Sequence, residues 1–313
     1  MTGLPVAHAF APASVGNVAV GFDLLGLALA SPGDTVTATR RESSGVVIEA
    51  IEGVAVDLPR DPAKNTAGGV AQALLAHADA NFGVALTIQK GIALGSGMGG
   101  SAASAVAAAV AVNALLDVPL DHADLLTFAL QGEAIASGAV HADNVAPSLL
   151  GGLVLAPADG PAYPLALPQG LVCVLARPHL ELTTRAGRAL LRDQYRQHEW
   201  VTQAGHLAAF VHACSVNDHD AIARHLTDTL IEPQRKAAIP GFDAIKSDVL
   251  AAGALACSIS GSGPAMFAWC PQDNAQAVSS AFKHGFAAES LDCERVVSRL
   301  DAPGARLLAQ SEL

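Results

Sequence analysis

Residues 95–104 read Gly95-Ser96-Gly97-Met98-Gly99-Gly100-Ser101-Ala102-Ala103-Ser104. They stand between a run that reads as a strand, 85–89, and an alanine-rich stretch that reads as a helix, 101–116. Four glycines in positions 95–100 let the backbone turn its N–H groups inward with no Cβ in the way. The helix that follows points its free N–H groups and the positive end of its dipole at the same spot. Small residues after the loop leave room for a bulky anion. Strand, glycine turn and helix start, in that order, suit a di- or triphosphate.

Three other readings compete. A Walker A loop needs a Gly-Lys-Ser or Gly-Lys-Thr end, and here Gly100 is followed directly by Ser101. A dinucleotide fingerprint is spelled by Gly95, Gly97 and Gly100, with Asp117 near the expected offset. Asp117, however, follows a helix and not a second parallel strand. The third is a tight strand–helix turn that holds no ligand.

The rest of the composition narrows the partners. The formal charge is −11, with only 15% charged and 51% hydrophobic residues, which excludes a mainly disordered chain. An acidic balance argues against a nucleic-acid groove, which needs clustered Lys and Arg. It leaves room for an anionic substrate held by a few cations. Five cysteines at wide spacing, with no C-x-x-C, fit free thiols in a reducing compartment. The start Met1-Thr2-Gly3-Leu4-Pro5 lacks a basic, then apolar, leader pattern. The most apolar stretch, 101–116, is short of the roughly 20 residues that span a bilayer. A soluble cytoplasmic protein is expected, with no membrane partner.

Along the chain, residues 6–56 hold short β-branched runs, separated by turn signals at Ser31-Pro32-Gly33-Asp34 and Ser43-Ser44-Gly45. A helix is expected over 66–80 with Asn65 as its N-cap, and another from Asp121 to about 137. Residues 141–148 read as polar and turn-like. Pro157, Pro161, Pro164 and Pro168 mark a domain boundary, giving units 1–157 and 158–313. After it come a strand at 171–176, helices over 184–230 and 239–252, and strands at 256–260 and 265–269. A helix at 274–287 and a strand at 293–300 follow. The class is α+β.

The loop resembles the phosphate-binding motif of the GHMP small-molecule kinases, P-x-x-x-G-L-G-S-S-A-A. Residues 97–103 match, except that Gly100 stands where the first serine is usual. Further blocks resemble the homoserine kinase branch. They are Ala11 to Gly26, Gly132-Glu133-Ala134, His141-Ala142-Asp143-Asn144-Val145-Ala146-Pro147-Ser148, Thr183-Thr184-Arg185-Ala186-Gly187-Arg188, Glu232-Pro233-Gln234-Arg235 and Ile259-Ser260-Gly261-Ser262-Gly263-Pro264. Gly16 and Gly187 each replace a usual alanine.

The resemblance implies a two-domain GHMP kinase fold, with an N-terminal unit like ribosomal protein S5 domain 2 and a ferredoxin-like C-terminal unit. It implies ATP and Mg²⁺ as cofactors, L-homoserine as substrate, O-phospho-L-homoserine as product on the route to threonine, and a homodimer. Ser101 and Glu133 would hold Mg²⁺. Gly95, Ser96, Gly97, Met98, Gly99, Gly100 and Ser101, with Ala102 and Ser104 behind them, would cradle phosphate. Lys90 would face it, and Asn65 would meet the adenine edge.

Homoserine is a zwitterion with a distal hydroxyl, and the residue types agree with that. Arg188 and Arg235 suit its carboxylate and Asp23 its ammonium, while Asn17, His141 and Thr184 line the polar end. Taken singly each has a plainer reading: solvated helix arginines, a structural histidine, an N-cap aspartate. Where some relatives have a catalytic aspartate this chain has Asn144, and an amide takes no proton at neutral pH. The expectation is a reaction without a carboxylate base, with Asn144 and Asn17 orienting the hydroxyl and Asp143 as the rival base. A kinase for a sugar or isoprenoid alcohol, a GHMP-fold lyase and a ligand-binding regulator remain as alternatives.

Overall fold

The computed structural model describes residues 3–137 and 142–309. The first half runs β1 (Val6–Gly16), β2 (Leu25–Arg41), β3 (Val46–Gly53), α1 (Thr66–His77), β4 (Gly83–Lys90), α2 (Gly100–Asn113), α3 (Leu125–Ser137), α4 (Ala142–Leu150) and β5 (Leu153–Leu155). It continues with β6 (Tyr163–Pro164), β7 (Leu171–Pro178), α5 (Thr184–Ala189), α6 (Gln197–Val216), α7 (His219–His225) and α8 (Glu232–Arg235). The remainder is α9 (Phe242–Ala251), β8 (Ala256–Ile259), β9 (Met266–Pro271), α10 (Ala275–Ala288), β10 (Cys293–Arg299) and β11 (Arg306–Leu307).

Among the described residues seven strands form the first sheet, in the order β11-β1-β2-β4-β3, with β5 beside β2 and β6 beside β5. Among the described residues only the β3–β4 pairing is parallel. The turn expected at Ser31-Pro32-Gly33-Asp34 is absent, because β2 runs through it. The β1–β2 register shifts between Pro12 and Ser14, which takes up the irregularity without ending the strand. Gly33 is needed there, since a Cβ would stand 2.3 Å from the Phe10 ring.

Helix α2 lies on this sheet with every residue from Ala102 to Val112 buried, so it shows no polar face. Its alanines let β1, β2, α1, α3 and α4 approach closely. Residues 142–150 are helical and not a turn. Pro147 and the polar run Asp143-Asn144 disguise α4 in the sequence, yet its buried face, Val145, Ala146 and Leu149, fits helical spacing.

The second sheet has the order β10-β7-β9-β8, all antiparallel. With α10 between β9 and β10 and helices between β7 and β8, this is the β-α-β-β-α-β arrangement of ferredoxin-like folds. Strand β7 is apolar on both sides for a reason. Val172, Val174 and Ala176 face Ile245 and Phe282 of α9 and α10. Leu171, Cys173 and Leu175 share the first unit's core with Phe210 and Trp269. Beyond residue 157 the chain still adds β6 and β11 to the first sheet, so the units are interlaced. Among the described residues no helix is long and apolar enough to cross a membrane.

Candidate active site

A cleft opens where the β4–α2 loop meets the second unit. Its floor is the backbone from Ala93 to Ser101, and its walls carry Asn17, Asp23, Glu133, Asp143, Asn144, Leu182, Thr184, Arg188, Arg235 and the turn Gly261–Gly263.

The loop is shaped by three left-handed glycines, Gly95, Gly97 and Gly99, at φ 57°, 76° and 67°. Four successive carbonyls are taken by the protein. Gly95 accepts from the Leu182 N–H (3.0 Å), Ser96 from Ala265 N–H (3.3 Å), Gly97 from the Ser260 hydroxyl (2.7 Å) and Met98 from Ser14 N–H (3.1 Å). With carbonyls fixed outward and φ alternating in sign, the intervening N–H groups form an anion nest at the start of α2. A Cβ on Gly97 would come within 2.7 Å of both the Ser260 and Gly263 oxygens.

The opposite end of the cleft carries charge. Arg188, on α5, donates to Asp23 at 2.6 Å. Arg235, at the end of α8, is only 2% exposed and donates to the carbonyls of Gly187 (3.2 Å) and Gly261 (2.9 Å). Both guanidinium carbons sit 5.3 Å from the Phe22 ring centroid. Burial, and then the Arg188 cation, pull Arg235 below its ordinary value. Two cations pressed together on one ring, only one of them bonded directly to a carboxylate, suit a further anion.

Asn17, Val18 and Ala19 form a left-handed turn at φ 68°, 41° and 53°, closed by Gly21 N–H on the Asn17 carbonyl at 2.9 Å. Such backbone costs about 1–2 kcal/mol per residue. The turn aims the Asn17 amide, which donates to the Gly261 carbonyl (3.0 Å) and accepts from the Asp23 N–H (2.9 Å). Asn144 accepts from the Ser14 hydroxyl at 2.9 Å. Gly16 and Gly187 lie at close approaches. A Cβ on Gly16 would be 2.7 Å from the Asn144 amide, and one on Gly187 2.8 Å from Ser262.

Two buried acids flank the nest. Glu133, on α3, is pushed up to about 7, mainly by burial and further by the Asp143 charge, while the Ser101 hydroxyl bonded to it pulls the other way. Asp143 is likewise pushed up to about 7 by burial and then by Asp23. Its Oδ2 accepts from the Asn17 N–H (3.1 Å), and its Oδ1 has no hydrogen-bond partner among the described residues. Ser101 and Glu133 side by side at a phosphate nest are hard oxygen donors that fit Mg²⁺, which needs few protein ligands beside phosphate. Among the described residues no cluster of three or more His, Cys, Asp or Glu could hold a metal alone.

Several expected residues lie elsewhere. Lys90 does not face the cleft; its ammonium is turned under the loop onto Asp34. Ser104 joins that pair, and Ala102 is fully buried in α2. Asn65 caps α1, accepting from Ala67 N–H (3.0 Å) and Gly68 N–H (3.4 Å) while donating to Pro59 (2.9 Å), so its amide is engaged away from the cleft. His141 lies outside the described residues. Asp117 binds Arg40 and Gly3 N–H on another face, which removes the acid that a dinucleotide site needs. Sequence reasoning missed Leu182, which the fold brings to the cleft, and Phe22, whose ring both arginines contact.

The chain is similar to known proteins over nearly its whole length. The family model described as GHMP kinases N terminal domain matches residues 65–152, and the GHMP kinases C terminal model matches 207–288. A homoserine kinase of Xanthomonas campestris pv. campestris is 47% identical, covering 98% of this chain and 95% of its own. One from Chlorobium phaeovibrioides is 41% identical, covering 96% and 98%. The crystal structure of homoserine kinase from Cytophaga hutchinsonii superposes with TM-score 0.93 at 39% identity, over 97% of this chain and 98% of that one. The glycine nest, the second-unit turn that braces it and the near full-length likeness lead to one assignment: this chain belongs to the GHMP kinase family, in its homoserine kinase branch.

Proposed function

We propose that the chain transfers the γ-phosphoryl group of ATP to the side-chain hydroxyl of L-homoserine, giving O-phospho-L-homoserine for threonine biosynthesis. One observation carries the choice of acceptor: the Arg188–Asp23–Arg235 group on Phe22 faces the same cleft as the phosphate nest. It suits a small zwitterion whose far end reaches the nucleotide. Galactose and mevalonate have no ammonium for Asp23.

In this reading the N–H groups of the Gly95–Ser101 loop hold the nucleotide phosphates, and Arg188 and Arg235 hold the amino-acid carboxylate. Thr184 and Asn17 fix the polar end beside Asp23, and Asn144 orients the hydroxyl for in-line attack. Ser101 and Glu133 would hold Mg²⁺, which would supply neutralisation of phosphate charge. Phosphoryl transfer passes through a loose transition state, so alignment is the chain's main contribution. The hydroxyl proton leaves late, to a phosphate oxygen. A second reading is favoured by Asp143, whose inner oxygen is buried without a hydrogen-bond partner among the described residues. There it takes the proton as a general base. A homodimer rests on the resemblance alone, and a cytoplasmic setting on the free cysteines.

The test is ADP release with homoserine, mevalonate and galactose offered separately. Turnover on homoserine alone is expected; equal or faster turnover on either other alcohol would overturn the assignment.

A further inference from the structure

Lys90 ends β4 immediately before the loop, and its three ammonium N–H groups are all engaged. They reach an Asp34 carboxylate oxygen, the Ser104 hydroxyl at 2.8 Å and the Gly100 carbonyl at 2.8 Å. Asp34 is as fully engaged. Its Oδ1 accepts from the Gly91 N–H (3.0 Å) and Ile92 N–H (3.3 Å), and its Oδ2 from the Ser104 hydroxyl (2.7 Å). Asp34, Lys90 and Ser104 are 0%, 2% and 4% exposed.

A buried ion pair is a poor device for stability alone, because apolar residues of similar size often serve as well. What this one adds is connection. Gly91 and Ile92 lead into the loop, and Gly100 and Ser104 lead out of it along α2. The pair joins both ends to Asp34, on the interior of β2. The loop between consists largely of glycine and cannot hold its own shape. Its two ends touch, since a Cβ on Gly100 would lie 3.1 Å from Ile92 Cγ2.

We propose that Asp34, Lys90 and Ser104 form a positioning clamp that fixes the two ends of the phosphate loop relative to each other, so that Lys90 governs nucleotide affinity without touching the nucleotide. The clamp rests on the reading that the loop holds ATP.

The experiment measures ADP binding by calorimetry and steady-state rates with ATP and homoserine varied in turn. It compares the full-length chain with Lys90→Met, Asp34→Asn/Lys90→Met and Ser104→Ala. Displacing a binding group by about 1 Å can cost about 100-fold, so Lys90→Met is expected to raise the ADP Kd and the ATP KM by about tenfold or more. The homoserine KM should move by less than about threefold, with Ser104→Ala giving a smaller shift in the same direction. Lower melting temperatures with both nucleotide constants unchanged overturn the clamp, and so do equal rises in both KM values. Lys90→Met leaves a buried aspartate unpaired. If it does not fold, the neutral double variant and Ser104→Ala decide by the same comparison. Failure of the unmodified chain to bind ADP overturns the nucleotide reading and the clamp with it. Binding that survives every substitution overturns the clamp alone.

Discussion

Replacing Arg235 by leucine separates the two ends of the cleft. In the protein itself the guanidinium serves two carbonyls. Gly261 keeps the Asn17 amide as a donor, whereas Gly187 loses the Arg235 donor, at a cost of about 1–3 kcal/mol in stability. Relief of the Arg188–Arg235 repulsion offsets part of this. With substrate bound, the carboxylate loses one of two cations in a poorly hydrated place. Breaking such a pair costs about 3–5 kcal/mol when fully buried. Arg188 is about one-third exposed and remains as a partner, so the lower figure applies. About 3 kcal/mol is a rise of about 100-fold in the homoserine KM. The ATP KM should change by less than about threefold, since Arg235 reaches the nest only through Gly261. A coupled assay for ADP, run with each substrate varied at saturating levels of the other, reads both constants, and a thermal melt reads the stability loss separately. The reasoning fails if the homoserine KM moves less than about threefold or if the ATP KM rises in parallel.

Gly97→Ala forces a left-handed alanine against two carbonyl oxygens, a strain of about 2–4 kcal/mol, and should raise the ATP KM at least about tenfold while sparing homoserine. An unchanged ATP KM would contradict the nest. Glu133→Gln should raise the Mg²⁺ concentration needed for half-maximal rate by about tenfold or more; intact Mg²⁺ dependence would remove Glu133 from the metal site. Asp143→Asn distinguishes the two proton routes: a kcat loss beyond about 100-fold with both KM values unchanged supports a base, and near-normal kcat supports direct transfer. The same variant tests pH linkage. Glu133 and Asp143 titrate near 7 when folded, above ordinary values of 4.5 and 3.8. The folded chain therefore binds more protons between about pH 4 and 7, and these groups make it less stable as pH rises through that window. Melts of ligand-free protein should show Asp143→Asn losing less stability than the unmodified chain between pH 5 and 8; parallel curves would refute the shift.

Much of the site was legible because its signals are local. The glycines of the nest, the alanine helix behind it and the Asn65 cap depend on near neighbours, and each lies where the pattern indicated. What stayed hidden depends on packing. Pro147 inside α4 breaks a local rule, and burial of Val145 and Leu149 overrides it. Lys90 beside a phosphate loop reads as a phosphate ligand until β2 is seen to bring Asp34 beneath it. The left-handed turn at Asn17–Ala19 carries valine and alanine where glycine would be expected. No propensity reveals it, because its support comes from Gly261 and Asp143, far along the chain.

Strand β11 has a consequence for biosynthesis. Leu307 pairs with Ala9 and Arg306 with Phe10, so β1 is bordered by a strand that is synthesised nearly 300 residues after it. The unit that holds β1 can collapse during translation, but β1 keeps an uncovered edge until Arg306 and Leu307 have emerged. Stalled products ending before Arg306 should therefore be preferred clients of chaperones, even with the nucleotide nest already built.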